Sequence, residues 1–421
     1  MTIKDTILEQ KKELALRIHE PYIPRDAEIG GSKTRLIKII IGPRRAGKSF
    51  FLTRYLTGKG VFGYVNFDDE QLTDPEKIPD ILAAVNDVYK GSRTLLLDEI
   101  QNIPGWELLA NRLARQGYDL YITGSNAYLL SKELATHLTG RHTVTTIFPF
   151  SFREFLQLKT GEHTTRDYQS FLEEYCQNGG FPEPLMVPLE RKDYMVRLFD
   201  AVLYKDIIRR YHVRLPHGLG DLAHYLCSTI SNEYSYHGLS KITGTLNDRT
   251  IRKYLDYLEE SFLFFSIPRF SYKMKIQIVS NKKIYSIDNG FITSKGFSFS
   301  KNQGSLYENI VAIVLREQEL LGRIRLYYWK NAEQEEVDFV IQKNRQVILL
   351  IQVCTSIFDE KTKSREVRAL LKASRELQCA NLLVLTLQED RESKEEWFGI
   401  QGVVRYMPLW KWLLQEPDLL E

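Results

Sequence analysis

The chain of 421 residues has little cysteine, little net charge and no long apolar run. Its four cysteines, Cys176, Cys227, Cys354 and Cys379, are scattered and form no CxxC pair. That excludes a disulfide scaffold, argues against a zinc ribbon, and fits a reducing compartment. The formal charge is only +3, from 57 Lys and Arg against 54 Asp and Glu. A chain that coats nucleic acid by its overall field is excluded, so any such contact needs a local patch. No run approaches the roughly 18 apolar residues that a membrane helix requires. The start, MTIKDTILEQKKELALRIHE, is charged and amphipathic, without an apolar signal core. A soluble cytoplasmic protein with no membrane partner is expected. What remains is ordinary globular material, 43% hydrophobic and 26% charged. At about 100–200 residues per domain, the length allows two to four domains. Aromatic content is high, with 23 Tyr and 21 Phe.

Residues 1–30 read as a helix followed by the linker PYIPRD. From Arg35 short apolar strands alternate with helices. RLIKIIIG, GYVNFDD, TLLLDEI and DLYITGSN are the strands, with helices at 49–56, 75–89 and 106–116. This alternation predicts a parallel sheet covered on both faces. Near Pro149 the pattern changes to helices rich in Phe, Tyr and Leu, up to about Cys227. A basic helical pair follows at 239–265, then a strand-like pair, FSYKMKIQIVS and KKIYSIDNG. After a loop with Gly296 and Gly304, an α/β segment covers 306–387, and YMPLWKWLL reads as a short packed helix.

The segment Gly42-Pro43-Arg44-Arg45-Ala46-Gly47-Lys48-Ser49 matches GxxxxGK[ST] and lies between a strand and a helix. Gly42 and Gly47 let backbone N–H groups curl around phosphates without Cβ clashes. The helix that starts near Lys48 aims its positive end at the anion. Lys48 is placed to reach the β- and γ-phosphates and Ser49 to ligate Mg²⁺, with Phe50 beside them. Arg44 and Arg45 contact nucleotide or a neighbouring subunit, or lie in solvent. The strand Leu95-Leu96-Leu97 ends in Asp98 and Glu99. A parallel strand delivers its carboxyl end to the ligand crevice. Asp98 suits Mg²⁺ held through water, and Glu99 suits orientation or activation of the attacking water. The next strand ends in Thr123-Gly124-Ser125-Asn126, any of whose polar side chains could position that water. Asp68 and Asp69 follow YVNF, at the crevice edge or as a solvated loop start. Arg141, in HLTGRH, suits a finger on the transferring phosphoryl group, in cis or in trans, or a surface ion pair.

In this order GPRRAGKS, FDD, LLLDEIQNIPGWE, ITGSN, LTGR, PFSFREFL and NGGFPEP resemble a family of bacterial and archaeal AAA+ class P-loop ATPases. Members carry a C-terminal domain of restriction-endonuclease-like fold. The resemblance implies an AAA+ parallel-sheet core (1–158), a helical lid (159–228), a winged helix (229–293) and a nuclease-like α/β domain (294–421). It places ATP and Mg²⁺ at Lys48, Ser49, Asp98 and Glu99, and a sensor near Asn126. It strengthens Arg141 as a sensor or finger and implies homo-oligomers, including rings.

LSKITGTLNDRTIRKYLDYLEESFLFF has helix-turn-helix layout, with Asp248 as N-cap and Ile251, Leu255 and Leu258 on one face. Arg249, Arg252 and Lys253 open the second helix, where base and phosphate contacts are made. The following RFSYKMKIQIVSNKK, read as a β-hairpin wing, would offer Lys273, Lys275, Lys282 and Lys283 to a phosphate backbone. The opposing reading is a subunit-packing module with a solvated basic rim. In the C-terminal domain Glu308 and Asp338 match the nuclease pattern. The second carboxylate is replaced by Gln352 and the lysine by Cys354. Gln offers one neutral oxygen, and a thiol is a poor Mg²⁺ partner. The expectation is a degenerate, non-cleaving domain, with Glu335 and Glu336 as weaker substitutes. The function expected is an ATPase coupled to DNA binding or remodelling. The alternative is a nucleotide-controlled scaffold for a protein partner.

Overall fold

A computed structural model describes residues 2–126, 138, 140–296, 303–354 and 360–419. The chain divides into two compact units. One comprises Met1–Pro149 with Glu260–Phe262, the other Phe150–Glu259 with Leu263–Glu421.

The first unit is built on a five-stranded parallel sheet. Its strands are β1 (Ile37–Ile41), β2 (Gly63–Asn66), β3 (Thr94–Asp98), β4 (Asp119–Gly124) and β5 (His142–Thr146). They lie in the order β2-β3-β4-β1-β5. The continuous apolar runs follow from burial on both faces: every residue of β1 is buried. Because β4 separates β1 from β3, the loop after β1 and the acids after β3 flank the end of β4. The helix Ile3–Arg17 begins on a Thr2 capping box. It covers the edge strand β2, where the Gln10 amide pairs with Asn66, donating to its carbonyl (3.1 Å) and accepting its N–H (2.9 Å). An edge so occupied cannot recruit a foreign strand.

The second unit contains the regions read as lid, helix-turn-helix and C-terminal α/β segment. Its helices include Thr165–Asn178, Arg191–Ala201 and Pro216–Ser228, and Tyr175 of the first and Phe199 of the second join aromatic clusters with residues of other elements. Phe152, Phe155 and Tyr175 pack together, as do Phe181, Phe199, Phe264 and Phe291. Core packing therefore absorbs much of the aromatic excess. Two motifs meet here. The Asp288 carboxylate accepts the N–H groups of Gly180 and Gly290, both at 2.7 Å. Gly180 has no room for a side chain, since a Cβ would lie 2.2 Å from the Phe150 carbonyl oxygen.

The segment read as helix-turn-helix holds two helices, Tyr236–Thr243 and Asp248–Glu260. The cap is Asn247 rather than Asp248: its side chain accepts the Thr250 N–H at 2.9 Å. A small antiparallel sheet accompanies the pair, formed by β6 (Glu233–Tyr234), β7 (Phe264–Pro268) and β8 (Lys282–Ser286) in the order β6-β8-β7. The expected strand over FSYKMKIQIVS is not formed. Its place is taken by the short helix Met274–Val279, so Lys273 and Lys275 do not sit on a hairpin. The cause is visible in the register. Pro268, which has no N–H, pairs with Lys282 and ends the ladder. The chain then turns to another strand, where Phe270 N–H donates to the Tyr328 carbonyl at 2.7 Å.

That other strand belongs to a six-stranded mixed sheet. It contains β9 (Arg325–Lys330), β10 (Glu336–Lys343), β11 (Gln346–Val353), β12 (Leu382–Thr386), β13 (Arg391–Trp397) and β14 (Ile400–Pro408). The order is β13-β14-β12-β11-β10-β9, antiparallel through β9, β10 and β11 and parallel from β11 to β14. Helix Gln303–Leu320 precedes it and helix Glu360–Leu377 crosses from β11 to β12.

Candidate active site

The carboxyl edge of the five-stranded sheet gathers the polar groups of the first unit. Gly42 leaves β1 at φ +145°, and a Cβ there would lie 2.0 Å from the Ile147 carbonyl oxygen. Only glycine fits that approach. The loop closes on Gly47 at the start of helix Lys48–Thr57. Lys48 is buried, its ammonium donating to the carbonyls of Gly42 (3.0 Å) and Pro43 (2.9 Å). Ala46 is buried beneath the loop, Arg45 is exposed, and Phe50 stacks on Tyr22. Arg44 pairs with Asp68 at 3.6 Å, which puts Asp68 on this edge, whereas Asp69 caps a turn by accepting Gln71 N–H.

Asp98 is the hub. Ser49 Oγ donates to it at 2.7 Å, Tyr64 OH at 3.0 Å, and the Thr123 hydroxyl also donates. Burial, and then the charge of Glu99, push its carboxyl up, and the three hydroxyls act the other way. Glu99 sits at φ +53°, with its N–H on Thr123 Oγ1 (2.9 Å). Its carboxylate accepts Gln101 Nε2 (2.5 Å) and Ser125 Oγ (3.0 Å). Burial opposes its charge, but Lys48, Gln101, Arg44 and Ser125 together hold it below the usual carboxylate range. The two adjacent carboxyls are thus moved in opposite directions by their surroundings, Asp98 up and Glu99 down. Asn126 is buried at the end of the same strand.

The structure thus brings together Lys48, Ser49, Asp98, Glu99, Thr123 and Ser125. It does not bring Arg141 to them. Arg141 is exposed and precedes β5, where its carbonyl accepts Ile37 N–H, at the amino end of the sheet. Tyr64 and Gln101 were missed. Tyr64 is a buried strand residue whose hydroxyl reaches a partner 34 positions away, and no local pattern marks that.

A second cluster lies in the other unit. Lys283, expected on a basic wing, is 1% exposed and its sign of charge serves another purpose. Its ammonium meets Glu308 (2.9 Å), Asp338 (3.1 Å) and Glu336 (2.5 Å). The reason is position: β8 is the central strand of its sheet, so its inward residues are buried. Burial opposes the lysine charge, and the carboxylates overcome it and hold it well above the ordinary range. Burial, with Asp338 next, pushes Glu308 up, and Lys283 and Tyr285 act the other way. Tyr285 OH donates to Glu308 at 2.7 Å.

Gln352 is engaged at both ends of its amide. Its Oε1 accepts Asp338 N–H (3.2 Å) and its Nε2 donates to Glu366 (2.5 Å). Asp338 Oδ2 accepts Val353 N–H at 2.9 Å. Cys354 is buried in the apolar core with Val337, Leu350 and Val384. Glu335 does not substitute, because it is tied to Arg368 and Lys372. Among the described residues no group of three or more His, Cys, Asp and Glu is arranged to hold a metal. Of the other basic candidates, Arg249, Arg252, Lys253, Lys273 and Lys275 are exposed and Lys282 is half-buried.

A family model for an AAA domain matches residues 34–156. Two domains of unknown function follow, DUF8612 over 169–298 and DUF4143 over 303–412. An uncharacterized protein of Methanocaldococcus jannaschii, MJ1544, is 33% identical over 93% of this chain and 91% of its own. An uncharacterized protein of Haemophilus influenzae is 33% identical over 77% of this chain and 84% of its own. Among solved structures, the Walker-type ATPase PABY2304 of Pyrococcus abyssi aligns with TM-score 0.42 and 15% identity, over 68% of this chain and 94% of that one. Among the described residues no helix is long and apolar enough to cross a membrane. The chain belongs to one family with these archaeal and bacterial relatives, and its amino-terminal part is an AAA-type P-loop ATPase domain.

Proposed function

We propose that the protein binds and hydrolyses ATP with Mg²⁺ and couples the cycle to DNA binding or remodelling. The observation that carries hydrolysis is the single network Ser49–Asp98–Thr123–Glu99 at the mouth of the phosphate loop. A hydroxyl and a carboxylate 2.7 Å apart are an all-oxygen donor pair, which suits a hard cation. Ser49 and Asp98 would hold Mg²⁺. When bound it neutralises charge on the phosphate oxygens. Lys48 exchanges two carbonyls for the β- and γ-phosphates, and the loop N–H groups cradle them. Glu99, ionised and held by Gln101 and Ser125, orients the attacking water.

DNA action rests on different features. The order helix, β6, helix pair, β7, β8 supports a winged helix, with Arg249, Arg252 and Lys253 exposed on its second helix. In the C-terminal part, a helix, three antiparallel strands, a crossing helix and a parallel strand support a nuclease-like fold. The ties on Gln352 and Lys283 favour one that does not cleave. A second reading, a nucleotide-controlled scaffold for a protein partner, is favoured by one observation: Tyr272, Met274, Ile278 and Val279 are all exposed. The test is ATP hydrolysis by wild type, Lys48→Ala and Glu99→Gln, each with duplex, single-stranded and branched DNA. Stimulation by DNA that is lost in Arg249→Glu/Arg252→Glu supports the first reading. Hydrolysis indifferent to every DNA supports the second. Lys48→Ala hydrolysing at the wild-type rate would overturn both.

A further inference from the structure

We propose that Lys283 is a built-in cation that fills the acidic seat of the C-terminal sheet, fastens β8 to it and excludes a divalent metal. This rests on reading that domain as non-cleaving, and explains why it would be so.

Three carboxylates converge from two elements, Glu308 on helix Gln303–Leu320 and Glu336 and Asp338 on β10. Lys283 donates to Glu308 and Asp338 and lies within ion-pair distance of Glu336 (2.5 Å), so its ammonium faces all three groups. A lysine that serves a reaction is aimed at the attacking water; this one is buried and turned to carboxylates. Several of the oxygens are used as well. Asp338 spends Oδ1 on Lys283 and Oδ2 on Val353 N–H, and Glu308 Oε1 also accepts from Tyr285. The remaining charges around the seat balance locally. Lys330 pairs with Glu233 (3.1 Å) and lies 3.8 Å from Glu336, and Arg365 pairs with Glu366 (2.5 Å). Lys283 is thus the cation that keeps Glu308, Glu336 and Asp338 compatible. Taking it away leaves buried Asp338 and half-buried Glu308 and Glu336 facing one another, an arrangement that favours another cation.

The mooring is continuous with backbone pairing. The same two sheets are joined where Phe270 N–H donates to Tyr328, and where Tyr328 OH donates to the Asn281 carbonyl (2.7 Å). A metal in the seat would displace the lysine that completes this joint, so metal loading and the joint compete.

The experiment counts Mn²⁺ bound to the full-length chain without nucleotide, from the resonance signal of the free ion. Wild type and Asp338→Asn should bind the same number. Lys283→Met should bind one more per chain, and Lys283→Met/Asp338→Asn should lose that ion. Lys283→Gln, which keeps bulk and hydrogen bonding without charge, repeats the test if the Met variant does not fold. If neither folds, wild type against Asp338→Asn decides. An extra Mn²⁺ in wild type that Asp338→Asn removes overturns the inference, as does a folded Lys283 variant that gains none. Plasmid nicking separates the layers. Nicking abolished by Asp338→Ala overturns the non-cleaving reading itself, whereas extra Mn²⁺ in wild type without nicking overturns only the role of Lys283.

Discussion

Asp98 accepts from Ser49, Thr123 and Tyr64, and only two of these donors lie in recognisable motifs. Tyr64 fixes the carboxylate from the side away from the phosphate loop. Removing its hydroxyl withdraws a hydrogen bond to a carboxylate, worth about 1.5 kcal/mol or more. Tyr64→Phe should therefore raise the Mg²⁺ concentration for half-maximal hydrolysis roughly tenfold while leaving nucleotide binding intact. An unchanged Mg²⁺ titration would show that Asp98 does not depend on it. Glu99→Gln keeps the shape and loses the charge. Turnover should fall by about 10²–10⁴ with a fluorescent ATP analogue still bound.

Elements are joined by buried polar contacts, and Asp288 is the clearest. It ties the glycine turn after helix Thr165–Asn178 to helix Asn289–Lys295. Burial pushes its carboxyl from 3.8 up to about 7, against the pull of the Gly180 and Gly290 N–H groups. The folded form therefore holds a proton that the unfolded chain releases near 3.8. The associated stability is full below that value and is lost as pH rises through about 7. Asn mimics the neutral group, so the destabilisation caused by Asp288→Asn should shrink from pH 4.5 to pH 8. Urea titrations at both pH values measure it, and a penalty that grows with pH would reverse the assignment. At the same joint Gly180→Ala forces a Cβ toward the Phe150 carbonyl, at a cost of about 1–3 kcal/mol.

At the scale of the whole molecule, Arg141 poses the question of assembly. It lies before β5, whereas the phosphate loop follows β1, which runs parallel to β5. The β1 strand between those two edges spans roughly 13 Å. A finger role for Arg141 therefore calls for a neighbouring chain. Lys48→Ala and Arg141→Ala, each inactive alone, should regain part of the hydrolysis when mixed. Full activity of Arg141→Ala, or no recovery on mixing, would remove it from the reaction.

Much of the site was legible because its parts are local. A glycine with positive φ, a helix start and an acid after an apolar strand are fixed by a few neighbouring residues, so GPRRAGKS and LLLDE announced themselves. The alternation of strands and helices likewise foretold the parallel sheet. The strand assigned to FSYKMKIQIVS failed because a strand needs a partner, and Pro268 ends the ladder that would have supplied it. Lys283 was misplaced for a related reason: a lysine carries the same charge on a wing or in a core. By itself the sequence determined the phosphate loop and the acidic pair that follows the third strand. Only the tertiary structure decided what surrounds each charge, since Lys283, Glu308 and Asp338 meet across 25 and 55 positions. Burial and partner, rather than residue type, turned a lysine expected at a phosphate into the counter-ion of three carboxylates.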